Sequence, residues 1–390
     1  MGKRGNGEGL IRERPGGLWE ARITLADGKK KSHYGKTYAE VRKWLTEAVR
    51  NRDLGLSVVL DERQTLAHFL ADWLKTMHTR LRPRSYIRYE EAVRLHLLPA
   101  LGKTPLARLQ PQQLQALYRD KLAEGQAPAS VARLHAVLHK ALADALRLGL
   151  VARNVGSLVQ APSARSTGGR HRRSQSLTPE QARALLAATP DHPLEAFFVL
   201  ALTTGMRRGE VLGLRWSDVD LEKGWAEVRQ TVEHLGGGTY TFTAPKTERS
   251  RRKVPLGVLA VAALRRQRVR QNAQRLAVGA VWVDEGLIFT DAIGRPLRGN
   301  HILQRQFQPL LQRAGLPAIR LHDLRHTAAT LAAHEGAPVR VVSELLGHSS
   351  AAMTLDMYQH AFDTSAGAAV AAVERTLLGP LGSLGTARDG

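Results

Sequence analysis

The 390-residue chain is 43% hydrophobic and 24% charged, the composition of a soluble globular protein long enough for two or three domains. Its 57 Lys and Arg outnumber 35 Asp and Glu, giving a formal charge of +22 and a pI near 10.9, the footprint of a polyanionic partner. The absence of cysteine excludes a disulfide scaffold and cysteine-ligated zinc, no apolar run reaches the ~18 residues of a membrane span, and the opening MGKRGNGEGL carries no signal-peptide core.

The surplus charge is distributed rather than confined to a tail: residues 1–55 hold thirteen Lys and Arg against seven Asp and Glu. Neither an amphipathic membrane helix nor a lipidation signal favours an anionic membrane, so nucleic acid is the expected partner. The expected setting is the cytoplasm, in association with the nucleoid and without membrane contact.

In chain order, the alternation of Trp19, Ala21, Ile23 and Leu25, the turn signal Asp27-Gly28 and the run Lys31 to Tyr34 predict a β-hairpin. A helix follows, with Thr37 as N-cap, Glu40 placed for a capping box, and Val41, Trp44, Leu45 and Ala48 as its apolar stripe. A small basic sheet on one helix is suited to reading DNA, since strands as well as helices enter a groove; the alternative is an ordinary small α+β module.

From Thr65 to about Pro162 the period becomes helical, in TLAHFLADWLKTM, PRSYIRYEEAVRLHLLPAL, QPQQLQALYRDKLAEG and PASVARLHAVLHKALADALRLGLV. Pro83, Pro99, Gly102, Pro111, Gly125, Pro128 and Gly149 punctuate it, which predicts a bundle of four helices with no evident catalytic constellation. Residues 163–176, rich in Ser, Gly and Arg, read as a cationic linker able to lie along phosphates. A larger domain starts at SLTPEQARALL, where Thr178 caps a helix with Pro179 at its first position. Within it, residues 224–256 have strand character around a triple-glycine turn and a second turn at 246–250.

Four separated patches of this domain suit phosphate chemistry. In TTGMRRGEVLGLRW, Gly205 allows a close backbone approach, Arg207 follows, and Glu210 is expected on the same helical face; alone, such a pair is an ordinary ion pair. Lys246 stands at a strand-to-turn junction, where a lysine is usually just solvated. LHDLRHTAAT puts His322, Arg325 and His326 within a turn and a half of helix, an arrangement open to three readings: a metal held by the two histidines, an anion addressed by His322 and Arg325, or packing. In LLGHSSAAMTLDMY, His348 precedes Tyr358 by ten residues.

In their order and spacing these patches resemble the active site of the tyrosine recombinases, the phage-integrase family. The resemblance runs through T-G-x-R-x-x-E, H-x-L-R-H and L-G-H-S-S followed by T-x-x-x-Y, between about Thr178 and Phe362. At the level of pattern, residues 65–162 resemble the family's core-binding domain and residues 10–55 its arm-binding domain. The implied fold is multidomain α+β. An arm-type DNA-binding domain at 1–58 would hold a small three-stranded sheet and a helix, and a helical core-binding bundle would fill 62–162. The linker at 163–176 would lead to a mostly helical catalytic domain with a small antiparallel sheet at 177–365, then a tail helix and end at 366–390.

Carried over by position, the resemblance makes Tyr358 the nucleophile, Arg207 and Arg325 the arginines that hold the scissile phosphate, and Lys246 the turn lysine. His322 and His348 fill the two histidine-type positions, and Glu210 supports the first arginine. The implied activity is site-specific cleavage and rejoining of double-stranded DNA through a 3′-phosphotyrosyl intermediate and a Holliday junction, integrating or excising a phage or mobile element. The implied assembly is a homotetramer on two DNA sites, with room for an excision factor and a DNA-bending host protein. The segment AAVAAVERTLL, residues 368–378, is expected to dock on a neighbouring protomer. A type IB topoisomerase would use the same kind of pocket, but the amino-terminal module and bundle favour recombination. A non-catalytic DNA-binding accessory protein would need the cations but no tyrosine.

The residue types suit the chemistry. Charge develops on non-bridging phosphate oxygens, which a guanidinium fork meets bidentately. A phenol of pKa about 10 needs a cationic pocket and a proton acceptor, for which His322 is the candidate, while Lys246 can protonate the departing 5′ oxygen. Because the covalent link conserves the phosphodiester energy, no nucleotide or metal cofactor is expected, and neither a P-loop nor carboxylates spaced for two metals occur. Asp323 rather than Glu follows His322, and Arg325 would place a cation beside an ion, so the metal reading recedes and His326 is expected to pack.

Overall fold

The computed structural model describes residues 9–25, 28–53, 63–163, 175–245, 250–347 and 355. Lys246, His348, Tyr358, most of the linker and the tail at 366–390 lie outside the described residues. The chain divides into two compact units, Met1–His171 and Arg172–Gly390.

In the first unit, β1 (Leu10–Arg14), β2 (Leu18–Thr24) and β3 (Lys30–Gly35) pair antiparallel in that order, followed by α1 (Tyr38–Asp53). The hairpin expected from residue 18 onward is β2–β3. The additional strand β1, LIRER, has little apolar alternation to announce it, and only its pairing with β2 makes it a strand. Ala21 and Ile23 face Val41, Leu45 and Ala48 of α1, while Trp44 stays half-buried and stacks on His33 at 5.1 Å. Strand alternation sends Glu20 and Arg22 to the opposite face, where Arg12 and Tyr34 lie directly across from Glu20. Thr37 Oγ1 accepts from Glu40 N at 3.2 Å, but the Glu40 carboxylate returns to Lys36 N at 3.0 Å, one residue before the cap.

The same unit holds α2 (Leu66–Arg80), α3 (Pro83–Ala92), α4 (Leu98–Leu101), α5 (Pro111–Ala123) and α6 (Pro128–Arg147). Thr65 caps α2 by accepting from His68 N at 3.2 Å. The continuous helix expected over 83–101 is interrupted by a π turn at Val93–Leu97. Pro99 has no N–H to return to the preceding turn, and the ladder widens just before it. Leu66, Leu70, Leu97, Leu114, Leu138 and Leu142 form the fully buried centre. Across it, Trp73 Nε1 donates to the buried Asp144 carboxylate at 2.7 Å, linking α2 to α6 with the indole satisfied.

The second unit begins with α7 (Pro179–Ala187), where Thr178 and Gln181 exchange side-chain hydrogen bonds at the amino terminus. α8 (Glu195–Thr204) is apolar on every side and runs through the core, so Phe197 and Phe198 meet Phe289 and Phe307 edge-on and stacked. After α9 (Arg208–Leu212) come β4 (Val219–Asp220), β5 (Trp225–Val228), β6 (Thr231–Gly236), β7 (Thr239–Thr243) and β8 (Arg252–Pro255). They make a three-stranded sheet ordered β4-β5-β8 and a separate β6–β7 hairpin, turned by Gly236, Gly237 and Gly238, all at positive φ.

Then follow α10 (Val258–Val278), α11 (Gly299–His301), α12 (Gln308–Arg313), α13 (Asp323–His334) and α14 (Val339–Leu346). Thr327 on α13 accepts from Leu177 N at 3.0 Å and donates to Asp323 O at 2.9 Å, which ties α13 to the start of this unit. Among the described residues, no helix is long and apolar enough to cross a membrane.

Candidate active site

The site is built where α8, α9, β8, α13 and α14 meet. α8 stops at Gly205, whose left-handed φ of 62° turns the chain out of the helix. A Cβ there would also strike the Leu346 side chain, so glycine is required by backbone and by space alike. Arg207 is then extended, with φ −66° and ψ 146°, as the residue before α9. Glu210 therefore does not lie beside it on a helical face; it stands at the third helical position and folds back. Its Oε2 accepts from Arg207 N at 3.0 Å and its Oε1 from Arg207 Nη1 at 2.8 Å. The first N–H groups of a helix lack internal acceptors, and this carboxylate supplies one while holding the guanidinium.

Arg325, in the first turn of α13, is 2% exposed. Its Nη1 donates to Gly205 O and its Nη2 to Leu346 O, each at 2.8 Å. Leu346 ends α14, and Gly347 closes that helix with φ 65°. The last carbonyls of a helix are unpaired and carry partial negative charge. Here three in succession are met by three arginines: Leu345 O by Arg252 Nε at 2.6 Å, Leu346 O by Arg325, and Gly347 O by Arg207 Nη2 at 3.0 Å. Arg252 Nη2 also reaches Glu210 Oε2 at 2.9 Å.

Two guanidiniums thus hydrogen-bond one carboxylate with a third close by, and the crowding shifts both Arg325 and Glu210. Burial, then the charges of Arg207 and Arg252, push Arg325 down to about 9, with Glu210 opposing; it remains charged at neutral pH. Burial alone would raise the Glu210 carboxyl, but the charge and hydrogen bond of Arg252 and the bonds from Arg207 outweigh it and hold the carboxyl below its usual range. The cluster carries a surplus of positive charge that a bound anion would relieve.

His322 is the residue just before α13, and its ring lies edge-on to His326 with centroids 5.2 Å apart. Burial is the first cause that drives its imidazole down to about 4, followed by His326 and Arg325. Water still reaches this ring, so what counts is the direction: His322 is neutral at physiological pH and able to accept a proton. His326 is likewise lowered, chiefly by burial. Asp323, beside them, is kept ionised by hydrogen bonds from Arg320 that overcome its burial.

Of the residues singled out from sequence, Arg207, Glu210 and Arg325 converge directly, and His322 adjoins them one turn from Arg325. Lys246 would follow Pro245 after β7, and His348 would follow Gly347.

A profile described as the phage integrase family matches residues 175–365, and one described as the phage integrase N-terminal SAM-like domain matches residues 65–123. An integrase of Streptomyces ambofaciens is 30% identical over 340 residues, spanning 83% of this chain and 83% of the relative. The chain belongs to the phage integrase family of tyrosine recombinases. A XerC-like tyrosine recombinase of Caldanaerobacter subterraneus subsp. tengcongensis is 28% identical over 87% of this chain and 92% of its own. In fold, the recombinase is similar to a fragment of the Tn1549 transposon integrase solved with a circular-intermediate DNA: TM-score 0.65, 20% identity, 80% of this chain and 99% of that one. A lambda integrase dimer bound to a core site gives TM-score 0.55 at 19% identity over 92% and 96%.

The protein is a tyrosine-type site-specific recombinase. Sequence reasoning missed one member of its arginine cluster, Arg252, which sits in the run RSRRK and reads there as solvated charge. The available signal was alternation: Arg252 lies two residues before Val254, which is fully buried, so the two share the inward face of β8.

Proposed function

We propose that this recombinase cleaves each DNA strand by attack of the Tyr358 hydroxyl on a scissile phosphate addressed by Arg207 and Arg325. The tyrosyl O–P bond forms as the P–O5′ bond breaks. Neutral His322 takes the phenolic proton, the Lys246 ammonium gives one to the departing 5′ oxygen, and His348 donates to the phosphate. The product is a 3′-phosphotyrosyl link and a free 5′ hydroxyl; attack by the 5′ hydroxyl of another strand reverses the step and completes exchange. Glu210 orients Arg207.

The observation that carries this reading is the clustering of Arg207, Arg325 and Arg252 about a single carboxylate, with neutral His322 alongside. Such a pocket favours an anion, and preorganised donors act most strongly where charge develops in a transition state. Arg207 is 37% exposed and has donors to spare, so it is the first to meet the phosphate; Arg325 lies behind it.

The substrate is double-stranded DNA, gripped by the bundle at 62–162 and the catalytic domain at 177–365, with the sheet module at 1–58 reading a second class of site. A structural neighbour is a lambda integrase tetramer bound to a Holliday junction; by analogy this chain acts as a homotetramer on two sites, its 366–390 tail docking between protomers. An excision factor and a DNA-bending host protein complete the assembly, near the nucleoid.

A nicked suicide duplex carrying the attachment site tests the chemistry. Wild type is expected to form a denaturant-resistant protein–DNA adduct, and Tyr358→Phe to bind the duplex without forming one. An adduct formed by the Phe variant would contradict the assignment.

A further inference from the structure

Arg252 is an arginine of this cluster with no evident duty toward substrate. Its side chain is 8% exposed and leaves β8 on the inward face, while Lys253 turns outward over the Trp225 ring at 4.5 Å. Each of its three nitrogens already donates to protein: Nη2 to Glu210 Oε2 at 2.9 Å, Nε to Leu345 O at 2.6 Å, and Nη1 to Ser250 O at 3.3 Å. A Cβ on Gly347 would come within 2.8 Å of Nη1, so the glycine that ends α14 also makes room for this guanidinium.

The carboxylate it touches is shared. Glu210 Oε1 serves Arg207 Nη1, while Oε2 serves both Arg207 N and Arg252 Nη2. Without Arg252, a carboxylate 2% exposed would keep one cation as partner, and the favoured geometry for an isolated pair is the bidentate fork. Arg207 would then turn further toward Glu210 and away from the face it presents to solvent.

We infer that Arg252 is a positioning residue: by occupying Glu210 Oε2 it keeps Arg207 aimed outward at the scissile phosphate, and by holding Leu345 O it sets the end of α14 in register with that arginine. The inference rests on the reading of Arg207 as a phosphate ligand. Arg252 itself stays off the DNA.

The test exploits the charge that Arg207 must balance. A methylphosphonate at the scissile position replaces one non-bridging oxygen by methyl and removes its negative charge. Single-turnover cleavage of suicide duplexes with an ordinary phosphodiester or a methylphosphonate is compared for full-length wild type, Arg207→Ala, Arg252→Gln and Arg252→Lys. Arg252→Gln is expected to bind the duplex as wild type does, to cleave the phosphodiester about 100-fold more slowly, and to come within about 10-fold of wild type on the methylphosphonate, following Arg207→Ala. Arg252→Lys should fall between, because an ammonium can neutralise Glu210 but cannot span three acceptors in a plane.

If the methylphosphonate rescued Arg207→Ala but not Arg252→Gln, Arg252 would be serving the fold alone and the inference would be overturned. Wild-type cleavage of the phosphodiester by Arg252→Gln would overturn it too. Rescue of neither variant would instead remove Arg207 from the phosphate. Should Arg252→Gln fail to fold, the same comparison on Arg252→Lys decides: rescue supports the inference and its absence overturns it.

Discussion

The amino-terminal sheet and the catalytic cluster solve the same electrostatic problem in opposite ways. Each surrounds one water-excluded carboxylate with three arginines: Glu20 with Arg12, Arg14 and Arg22, and Glu210 with Arg207, Arg252 and, close by, Arg325. On the sheet the arginines hang from neighbouring strands and remain 32–42% exposed, and Glu20 is shielded mainly by those side chains lying across it. In the catalytic unit the arginines are also pinned to backbone carbonyls at the ends of α8 and α14, and two of the three are almost inaccessible. The sheet leaves its charge partly exposed at the surface, whereas the cluster about Glu210 fixes charge at one point. Under the proposed function, preorganisation of the second kind would serve a transition state and display of the first kind would serve binding.

Breaking the fixed cluster should produce the largest effects. Arg325→Ala and Arg207→Ala are each expected to lower single-turnover cleavage about 1,000-fold while duplex affinity changes little, measured by adduct formation beside a binding titration. Glu210→Ala should cost about 3 kcal/mol of stability, read by urea denaturation of the full chain, because it strands Arg252 without its counter-charge.

A third expectation concerns pH. Because the folded pKa of His322 is pushed down to about 4, below the unfolded 6.5, its contribution to stability is fully present above pH 6.5 and is lost as pH falls toward 4. In histidine-labelled protein, the His322 resonance, assigned with His322→Gln, should therefore not titrate between pH 8 and 5.5. A midpoint near 6.5 would show that the ring is not crowded as described. The lowered Glu210 carboxyl carries the same sign: its stabilisation is present above the usual carboxylate range and fades as acid reaches its depressed folded pKa.

The smallest effects belong to the sheet. Arg12→Ala or Arg22→Ala should reduce the slope of log affinity against log salt by about 1 and leave cleavage of a core-site duplex unchanged.

Much of this was legible in the sequence, for identifiable reasons. The four bundle helices announce themselves through period and Pro/Gly punctuation, and the catalytic motifs through fixed spacings. The i to i+3 spacing of Arg207 and Glu210 fits a helical face and a cap equally well, so sequence could not tell that Arg207 precedes the helix. Strand β1 lacked alternation because both faces of LIRER are largely open. Arg252 was hidden by its neighbours: a single inward arginine in a basic run looks like solvated charge until the strand's partner is known. Tyr358, His348 and Lys246 lie outside the described residues, and their proposed roles rest on the motif alone.

The most direct measurement pairs duplex affinity with single-turnover cleavage for Glu20→Gln and Glu210→Gln, using a duplex that carries both an arm-type and a core-type site. Glu210→Gln is expected to lose cleavage and keep affinity, and Glu20→Gln to lose affinity and keep cleavage once the duplex is saturating. If Glu210→Gln weakened binding as much as cleavage, the catalytic cluster would be a binding surface like the sheet, and the division between display and preorganisation would be wrong.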